Sequence, residues 1–504
     1  MGDGKRAMAS ERILEVLEPV SASGVVPPTV TGLSHDSRRV RPGDWFFALA
    51  GQHADGARFA AAALAAGAGA VVTQAATGQT PEVVVKDARR SMARAAARFY
   101  GDPSLALRAV GITGTNGKTT VSFLLRAVLE AHGWATGLVG TVGAFFPEGR
   151  ATTGFTTPES VELQALLAQM IERGAKACVL EVSSHGLALE RTFGLAFDVT
   201  AFTNLTHDHL DFHGTVENYL DAKLMLFDGR NGAAGAKPTV AVIHAGDPHA
   251  ARVIEAAKRG GQRVKTFAVH GPADVTAENV VSDARGSRFT VVEAGERHEV
   301  RLRLPGLFNV ENALCAWTIA GALGVSPGTR AKSLGAVAGV PGRLETVDQG
   351  QPFAVYVDYA HTPDALARLL ETVRPLTAGR VILAFGAGGD RDHSKRPEMG
   401  EVAARLADTV VLTSDNPRSE PPLAILSEIK SGMPAGSRAQ VEVEPDRRQA
   451  IARAIAAARS GDMVVLAGKG HETTQTAHGV SLPFDDREEA RAALERLGFA
   501  REAR

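Results

Sequence analysis

The stretch AVGITGTNGKTT (residues 109–120) decides how this sequence is interpreted. Its apolar first half is typical of a buried strand, and the residues after it have helical spacing. A glycine-rich turn between a strand and a helix presents backbone N–H groups to an anion, and Lys118 adds a positive charge. The sequence therefore predicts a phosphate-binding loop, with the Thr119 hydroxyl available to Mg²⁺. A strict Walker A motif would need glycine in place of Ile112, so an ordinary tight turn is the alternative interpretation.

Two further predicted strands end in polar side chains. EVSSHG (181–186) closes one of them, and NLTHDHLD (204–211) follows the next. Functional groups collect at the carboxyl ends of parallel strands, where carboxylates and imidazoles can hold Mg²⁺ beside a nucleotide. A single histidine is more often structural, and only the clustering favours a ligand role.

Lys223 falls on the apolar face of a helix that we predict over residues 216–227, capped by Thr215. A buried ammonium is costly and would repel a nearby metal ion. In one interpretation the side chain reaches solvent or pairs with an aspartate. In the other, the neutral amine takes up CO₂ and becomes an anionic carbamate that suits a magnesium site. The residues alone leave both open.

Strand and helix signals alternate along most of the chain and predict an α/β protein of three domains, at 1–105, 106–338 and 339–504. The central domain should carry a mostly parallel sheet and a hairpin around residues 294–296. The third domain should be a doubly wound, Rossmann-like sheet. Its predicted strands are 354–358, 380–385, 409–413, 439–443 and 463–466.

Composition narrows the class of protein. The chain has 55 basic and 56 acidic residues, a net charge of −1, which does not favour non-specific binding to nucleic acid or an anionic membrane. Its two cysteines form no disulfide framework and fit a reducing compartment. We see no secretory signal and no segment apolar enough to span a bilayer. We therefore expect a cytoplasmic monomer with small-molecule substrates, no nucleic-acid partner and no membrane insertion.

Segments spread over nearly the whole chain resemble the Mur ligase family, and their number and order make the resemblance specific. They are SHDSRRVRPGDWFFAL (34–49), GITGTNGKTT (111–120), TTPES (156–160), EVSSHGL (181–187), TNLTHDHLDFHG (203–214), YLDAKLMLF (219–227), LPGLFNVENALCA (304–316), GRLE (342–345), VDYAHTPDAL (357–366), FGAGGDRDHSKRPEMG (385–400), SDNPRSEPP (414–422) and AGKGHE (467–472).

The resemblance implies a UDP-sugar domain, a central ATPase domain and a C-terminal domain that binds an amino acid. It is strongest to the members that add the third peptide residue in peptidoglycan biosynthesis. The implied reaction uses ATP to phosphorylate the carboxylate of UDP-N-acetylmuramoyl-L-alanyl-D-glutamate. The amine of meso-diaminopimelate then attacks the acyl phosphate, giving an amide, ADP and phosphate.

Carried over motif by motif, the resemblance assigns residues to each ligand. ATP would be held by Thr113, Gly114, Thr115, Asn116, Gly117, Lys118, Thr119, Asn309, Arg343 and Asp358. Mg²⁺ would be held by Thr119, Glu181, His209 and a carbamylated Lys223, with Lys118, Lys223 and His209 as the catalytic set. The UDP-muramoyl dipeptide would meet His35, Ser37, Gln52, His53, Ala54, Thr156, Thr157, Ser183 and Arg191. Leu189 departs from the family, which often has glutamine there, and leaves that contact in doubt.

The segment DNPR (415–418) bears on the choice of amino acid. Diaminopimelate carries a second amino-acid head, so its selection needs a cation for the distal carboxylate and acceptors for the distal ammonium. Seen alone, this segment is an ordinary surface turn. In the context of the resemblance it is the diaminopimelate signature. The implied set is Arg391, Asp415, Asn416, Pro417, Arg418, Gly468 and Glu472.

Two other functions compete with this prediction. A sister amide ligase, such as a folylpolyglutamate-type synthetase, would keep the phosphate loop and the lysine but lack DNPR. A guanine-nucleotide switch usually carries Asn-Lys-x-Asp, and no Asn-Lys pair occurs in this chain.

Overall fold

The phosphate loop follows the strand Arg108–Thr113 at the centre of an eleven-stranded sheet. The structure is a computed structural model that describes residues 6–51 and 55–500. Three successive α/β units make up these residues, each built on its own sheet. None of the helices within these ranges is long and apolar enough to cross a membrane.

The first unit has a five-stranded sheet in the order β2-β7-β6-β5-β4, parallel except at β2, and a separate pairing of β1 with β3. Its strands are β1 (Met8–Ala9), β2 (Ser21–Ser23), β3 (Thr29–Val30), β4 (Gly32–Ser34), β5 (Asp44–Phe47), β6 (Ala70–Thr73) and β7 (Glu82–Val84). Its helices are α1 (Ser10–Leu17), α2 (Ala60–Ala65), α3 (Ala88–Tyr100) and α4 (Pro103–Ala106), with 3₁₀ turns at Ser37–Arg39 and Gly56–Phe59.

The central unit has the order β11-β10-β9-β12-β8-β13-β14-β15-β16-β17-β18, parallel from β9 to β16 and antiparallel at both ends. Its strands are β8 (Arg108–Thr113), β9 (Thr136–Gly140), β10 (Gly143–Phe145), β11 (Arg150–Ala151), β12 (Ala177–Glu181), β13 (Val199–Phe202), β14 (Val240–His244), β15 (Arg263–Ala268), β16 (Val275–Asp283), β17 (Gly286–Glu293) and β18 (Glu296–Leu302). Its helices are α5 (Lys118–Ala131), α6 (Ser160–Glu172), α7 (Ser184–Ala188), α8 (Leu210–His213), α9 (Val216–Leu224), α10 (Ala250–Arg259), α11 (Leu307–Ala322) and α12 (Pro327–Ala336).

The last unit has the order β19-β20-β24-β21-β22-β23, parallel except at β19, plus a two-stranded hairpin of β25 and β26. Its strands are β19 (Glu345–Thr346), β20 (Ala354–Asp358), β21 (Val381–Phe385), β22 (Thr409–Leu412), β23 (Gln440–Val443), β24 (Met463–Ala467), β25 (Thr474–Ala477) and β26 (Val480–Pro483). Its helices are α13 (Pro363–Val373), α14 (Lys395–Leu406), α15 (Pro422–Ser431), α16 (Arg447–Ala456) and α17 (Asp486–Arg496), with a 3₁₀ turn at Arg374–Leu376.

These elements confirm the predicted α/β fold. Strands β8, β12 and β13 are almost entirely buried, because helices cover both faces of a parallel sheet. The hairpin predicted around residues 294–296 is β17–β18. Helix α9 is capped as expected by the Thr215 hydroxyl, which accepts from the Asn218 N–H, but it ends at Leu224 rather than at residue 227.

Candidate active site

The phosphate loop depends on two glycines with positive φ. Gly114 has φ of +146°, and a Cβ there would lie 1.9 Å from Thr203 Oγ1. Gly117 has φ of +87° and precedes α5, and a Cβ there would lie 2.3 Å from Asn312 Oδ1. Only glycine permits both this backbone and this close approach, so the loop can curl over the start of α5.

Lys118 folds back over this loop. Its Nζ donates to the carbonyl oxygens of Gly114 at 2.8 Å and Thr115 at 2.9 Å. Burial lowers the pKa of this amine, while the charge of Glu181 raises it. The ammonium therefore sits where the loop would meet a phosphate group.

Glu181, at the end of β12, gathers hydroxyl groups from two neighbouring segments. Its Oε2 accepts from Thr119 Oγ1 at 3.0 Å and Thr141 Oγ1 at 2.9 Å, and its Oε1 accepts from the Thr141 N–H at 3.2 Å. Arg343 of the last unit donates from Nη2 to Thr119 Oγ1 at 3.3 Å. A buried carboxylate and a hydroxyl thus converge next to the phosphate loop, and oxygen donors are the ligands that Mg²⁺ prefers.

A cleft between the central and last units exposes most of the predicted nucleotide and magnesium residues. Those that line it are Thr115, Asn116, Gly117, Lys118, Thr119, Glu181, His209, Arg343 and Asp358, and two of the predicted muramoyl-peptide residues, Thr156 and Ser183, line it as well. Thr113, Gly114, Asn309 and Lys223 are buried or lie behind this lining.

Lys223 lies directly behind the phosphate loop and is 1% exposed. Its Nζ donates to the Gly114 carbonyl oxygen at 3.0 Å and lies 4.3 Å from the centre of the Tyr219 ring. The Tyr219 hydroxyl is in turn 3.1 Å from Thr115 Oγ1. Burial and the nearby Lys118 charge hold the pKa of Lys223 well below its usual value, so the neutral amine is favoured. The side chain is shielded from solvent and forms no ion pair with any aspartate of the described residues.

The predicted histidine cluster is assembled from α7, α8 and the turn before α8. The His185 ring lies 4.8 Å from the His209 ring and 5.5 Å from the His213 ring, centre to centre. Partial desolvation and the neighbouring His185 and Lys118 lower the pKa of His209 to about 4. A neutral imidazole can act as a metal ligand, but among the described residues no three His, Cys, Asp or Glu side chains converge on one point.

The last unit contributes Asp358 to the lining of the cleft and Asp364 to a contact with the phosphate loop. Asp358 accepts from the Leu344 and Ala360 N–H groups at 2.8 and 2.9 Å, and burial raises its pKa against the charge of Arg343. Asp364, which the sequence analysis missed, accepts from Asn116 Nδ2 at 3.3 Å. It therefore ties α13 to the phosphate loop.

Asn309 does not face the cleft. Its Nδ2 donates to the Pro305 carbonyl at 2.8 Å, and its Oδ1 accepts from Asn312 Nδ2 at 3.2 Å. Asn312, one turn later on α11, lines the cleft instead. Asn309 would thus act on a nucleotide through Asn312.

Four of the predicted muramoyl-peptide residues belong to the central unit: Thr156 and Thr157 precede α6, Ser183 caps α7 and Arg191 follows α7. Thr157 Oγ1 is 3.0 Å from Ser183 Oγ, and the Thr157 carbonyl accepts from Arg191 Nη1 at 3.0 Å. Arg191 Nε donates to Glu159 at 2.8 Å, and its guanidinium lies 4.5 Å from the centre of the exposed Phe155 ring. One carboxylate, one hydroxyl pair and one arginine are therefore fixed at this edge.

His35 and Ser37 lie in the first unit, in and before a 3₁₀ turn, and His35 Nδ1 is 3.8 Å from Glu162 of α6. His35 therefore faces the central unit. Gln52, His53 and Ala54 lie outside the described residues. At Leu189, Arg89 Nη1 of α3 is 3.4 Å from the carbonyl oxygen, a contact that needs no particular side chain.

Asp415, Asn416, Gly468 and Glu472 form one cluster at the ends of β22 and β24. Asn416 Nδ2 donates to Glu472 Oε2 at 2.8 Å and Asp415 Oδ1 at 3.3 Å. A Cβ on Gly468 would lie 3.4 Å from Asp415 Oδ2. Burial raises the pKa of Asp415, and the charges of Arg447 and Lys469 oppose that rise.

Arg418 is held at this cluster in an uncommon backbone conformation. Its φ is +53°, its Nη1 donates to the Gly389 carbonyl at 2.6 Å, and a Cβ on Gly389 would lie 1.9 Å from the Pro417 carbonyl. Arg391 is exposed and donates from Nη1 only to the Asp390 carbonyl, at 3.4 Å. Both guanidinium groups thus retain donors for an anion.

Two features beside this cluster were not predicted from the sequence. Lys469, within AGKGHE, is fully buried and bonds to Asn416 and Glu472. The β25–β26 hairpin pairs with the turn: Arg418 N–H donates to the Thr476 carbonyl at 3.0 Å, and His478 N–H donates to the Arg418 carbonyl at 2.6 Å. The polar alternation around the His-Gly pair at 478–479 was the available signal for the hairpin.

Family models match each of the three units. Residues 29–100 match "Mur ligase family, catalytic domain", residues 112–320 match "Mur ligase middle domain", and residues 342–470 match "Mur ligase, glutamate ligase domain".

Curated relatives match over nearly the full length. A UDP-N-acetylmuramoyl-L-alanyl-D-glutamate–2,6-diaminopimelate ligase of Solibacter usitatus is 45% identical over 93% of this chain and 94% of its own. The enzyme of the same name from Streptomyces coelicolor is 44% identical over 93% of both chains. A UDP-N-acetylmuramyl-tripeptide synthetase of Roseiflexus sp. is 44% identical over 97% of this chain and 99% of its own.

Among solved structures, one of a UDP-N-acetylmuramoyl-L-alanyl-D-glutamate–2,6-diaminopimelate ligase is 34% identical, with a TM-score of 0.69, over 96% of this chain and 99% of that one. A folylpolyglutamate synthase of Mycobacterium tuberculosis, solved with ADP and AMPPCP, is 19% identical with a TM-score of 0.61, over 81% of this chain and 95% of that one. This second likeness concerns the fold alone.

Proposed function

The chain belongs to the Mur ligase family, and from that premise we propose that it joins meso-diaminopimelate to UDP-N-acetylmuramoyl-L-alanyl-D-glutamate with the use of ATP. The observation that carries the proposal is the near-complete alignment with ligases of that name, at 40–45% identity. The site supports it, because the central unit carries a phosphate loop and the last unit carries a cluster of cationic and anionic side chains.

The chain's own residues support the two steps of an acyl-phosphate mechanism. The loop N–H groups and Lys118 would hold the phosphates of ATP while the terminal carboxylate of the dipeptide attacks the γ-phosphorus and ADP leaves. The amine of the amino acid then attacks the acyl carbon, loses a proton and expels phosphate. Arg343 and Lys118 would stabilise the charge that develops on the transferred oxygens.

The oxygen atoms of Thr119 and Glu181 fit a magnesium ion. They are 3.0 Å apart at the mouth of the loop, and His209 lines the same cleft. Mg²⁺, when bound there, would neutralise phosphate charge. Asn312 and Asp358 would complete the nucleotide site, with Asn309 orienting Asn312.

We propose that Lys223 carries a carbamate. Its Nζ would attack the carbon of CO₂ as the neutral amine and lose a proton to water. The buried position, the lowered pKa and the distance of 3.0 Å to the Gly114 carbonyl support this step. The product would place an anion beside the proposed magnesium site, where a protonated Lys223 would repel the metal ion.

The UDP-muramoyl dipeptide and diaminopimelate have separate candidate sites. Thr156, Thr157, Ser183 and Arg191 would bind the muramoyl peptide, while His35, Ser37 and residues 52–54 would bind the UDP group. The Asp415–Arg418 turn, Arg391, Gly468 and Glu472 would bind diaminopimelate. An arginine that binds the distal carboxylate of diaminopimelate would disfavour lysine. Lysine has no distal carboxylate, so the guanidinium group would remain unpaired.

The remaining expectations complete the proposal. We propose further that the enzyme is a cytoplasmic monomer, that its product enters peptidoglycan synthesis, and that its domain boundaries lie near residues 105 and 338. Release of phosphate from ATP with UDP-muramoyl-L-Ala-D-Glu tests the function directly. Release with meso-diaminopimelate but not with L-lysine is the expected result. Release with lysine instead would overturn the specificity, and release with neither would overturn the substrate pair.

A further inference from the structure

Lys469 is a fully buried lysine that the proposed mechanism does not use. It follows Gly468 at the end of β24 and is 0% exposed. Its Nζ donates to the Thr474 carbonyl at 2.6 Å, Glu472 Oε2 at 3.2 Å and Asn416 Oδ1 at 3.3 Å, with Asp415 Oδ1 at 3.9 Å. An ammonium has three donors, and all three have partners within this one cluster.

These contacts fix the orientation of the Asn416 amide. Its Oδ1 accepts from Lys469 Nζ and from the Thr476 N–H at 3.0 Å, so its Nδ2 must point the other way. On that side Nδ2 donates to Glu472 and Asp415. The amide thereby holds the Asp415 and Glu472 carboxylates in fixed positions. If the amide were reversed, its Nδ2 would face the Lys469 and Thr476 donors, and its Oδ1 would face the two carboxylates.

The same ammonium balances the charges of the cluster. Asp415 and Glu472 are two carboxylates bridged by one amide, and two neighbouring carboxylates resist joint ionisation. The Lys469 ammonium, 3.2 Å from Glu472 Oε2 and 3.9 Å from Asp415 Oδ1, offsets this repulsion. Two charged carboxylates make an acceptor site for an ammonium group, with Arg418 on the same turn available for a carboxylate.

We propose that Lys469 is a positioning residue that orients Asn416, Asp415 and Glu472 to receive the distal ammonium of the amino-acid substrate. This inference rests on the proposed function. In this role Lys469 does not touch the substrate itself. It helps the site to distinguish diaminopimelate, which has a second amino-acid head, from lysine, which has only an amine at its distal end.

The β25–β26 hairpin supplies the other half of this frame. Gln475 Nε2 donates to the Asp415 carbonyl at 2.8 Å, and the Thr476 N–H reaches Asn416. Lys469 also bonds to the first residue of the hairpin, Thr474, through its carbonyl. The lysine therefore joins the hairpin to the turn, so its loss should disturb recognition more than chemistry.

The test compares Lys469→Met and Lys469→Gln with wild type in steady-state phosphate release. Methionine keeps much of the volume without charge or donors, and glutamine keeps a donor. Arg330→Met is the matched control, because Arg330 is a buried cation that pairs with Glu293 away from this cluster. Thermal unfolding of each variant measures stability separately.

We expect Lys469→Met to raise the KM for meso-diaminopimelate by about tenfold or more, as the loss of a charged hydrogen bond implies. The KM values for ATP and the UDP-muramoyl dipeptide should change by less than about threefold on the same argument. Lys469→Gln should show a smaller rise in the same KM, and Arg330→Met should lower stability without that rise.

Equal rises in all three KM values, or an unchanged KM for diaminopimelate in a folded variant, would overturn the inference. If Lys469→Met does not fold, Lys469→Gln alone decides, by the same ratio of KM values. Wild type in the same assay tests the proposed function separately. If wild type releases no phosphate with meso-diaminopimelate, the proposed function is contradicted; if it does, only the role of Lys469 is in question.

Discussion

Lys223 donates a hydrogen bond from Nζ to the carbonyl oxygen of Gly114 over 3.0 Å, although 109 residues separate them. The contact places a buried amine against the back of the phosphate loop. A residue on α9 can therefore act on the same site as α5.

Replacement of Lys223 by alanine should lower the activity by at least about a hundredfold, because the proposed carbamate beside the proposed magnesium site is lost. Short carboxylates such as formate or acetate should restore part of the phosphate release, since they can occupy the space of a carbamate. Lys258→Ala, at an exposed position on α10, is the control and should retain activity. Full activity of Lys223→Ala would contradict the assigned role, and no rescue would count against the carbamate.

Replacement of Arg418 by lysine keeps the charge but removes the planar fork. We expect the KM for meso-diaminopimelate to rise by about tenfold or more, because a bidentate contact becomes a point contact. Steady-state phosphate release measures this, with Arg438→Lys at an exposed site as the control. An unchanged KM would mean that Arg418 serves only to bond the Gly389 carbonyl.

Replacement of Gly114 by alanine should eliminate ATP turnover, since the new Cβ would meet Thr203 Oγ1 at 1.9 Å. Gly133→Ala is a matched control, because φ is +89° there but nothing lies within 4 Å. We expect that control to lose about 1 kcal/mol of stability from backbone strain and to keep its activity. Thermal unfolding and ATP turnover separate the two effects, and equal activities in both variants would refute the close-approach argument.

The acid side of the stability profile should depend on His471. Burial and the charge of Arg343 lower the pKa of His471 to about 4, below its ordinary value of 6.5. Between these values the unfolded chain binds the proton and the folded chain does not, so stability is complete above about pH 6.5 and falls as the pH drops towards about 4. The melting temperature of His471→Gln should fall less than that of wild type between about pH 7 and about pH 5.

The exposed His270→Gln serves as the control for that measurement. Its melting temperatures should follow those of wild type across the range. Parallel curves for all three proteins would show that His471 does not contribute to the acid sensitivity.

Local pattern was sufficient for the strands and for the chemistry of the phosphate loop. The apolar runs that predicted β8, β12 and β20 are buried in the structure, because a strand covered on both faces must be apolar throughout. The carryover by resemblance named Thr119 and Glu181, and they meet at 3.0 Å. The resemblance could not show that the Asn309 side chain forms hydrogen bonds with Pro305 and Asn312, since those contacts depend on the geometry at the start of α11.

The amino-acid sequence by itself determined the phosphate loop between a buried strand and a helix, because residue type and spacing along one strand or helix are local properties. The metal and amino-acid residues were named only through the resemblance. The tertiary structure alone decided which of them meet. Arg343 reaches Thr119 across 224 positions, and Asp364 reaches Asn116 across 248. The contacts of Lys469 with Asn416 and the β25–β26 hairpin also depend on tertiary packing. Such contacts depend on strand order and on how two sheets face each other, and no periodicity within a single segment encodes either.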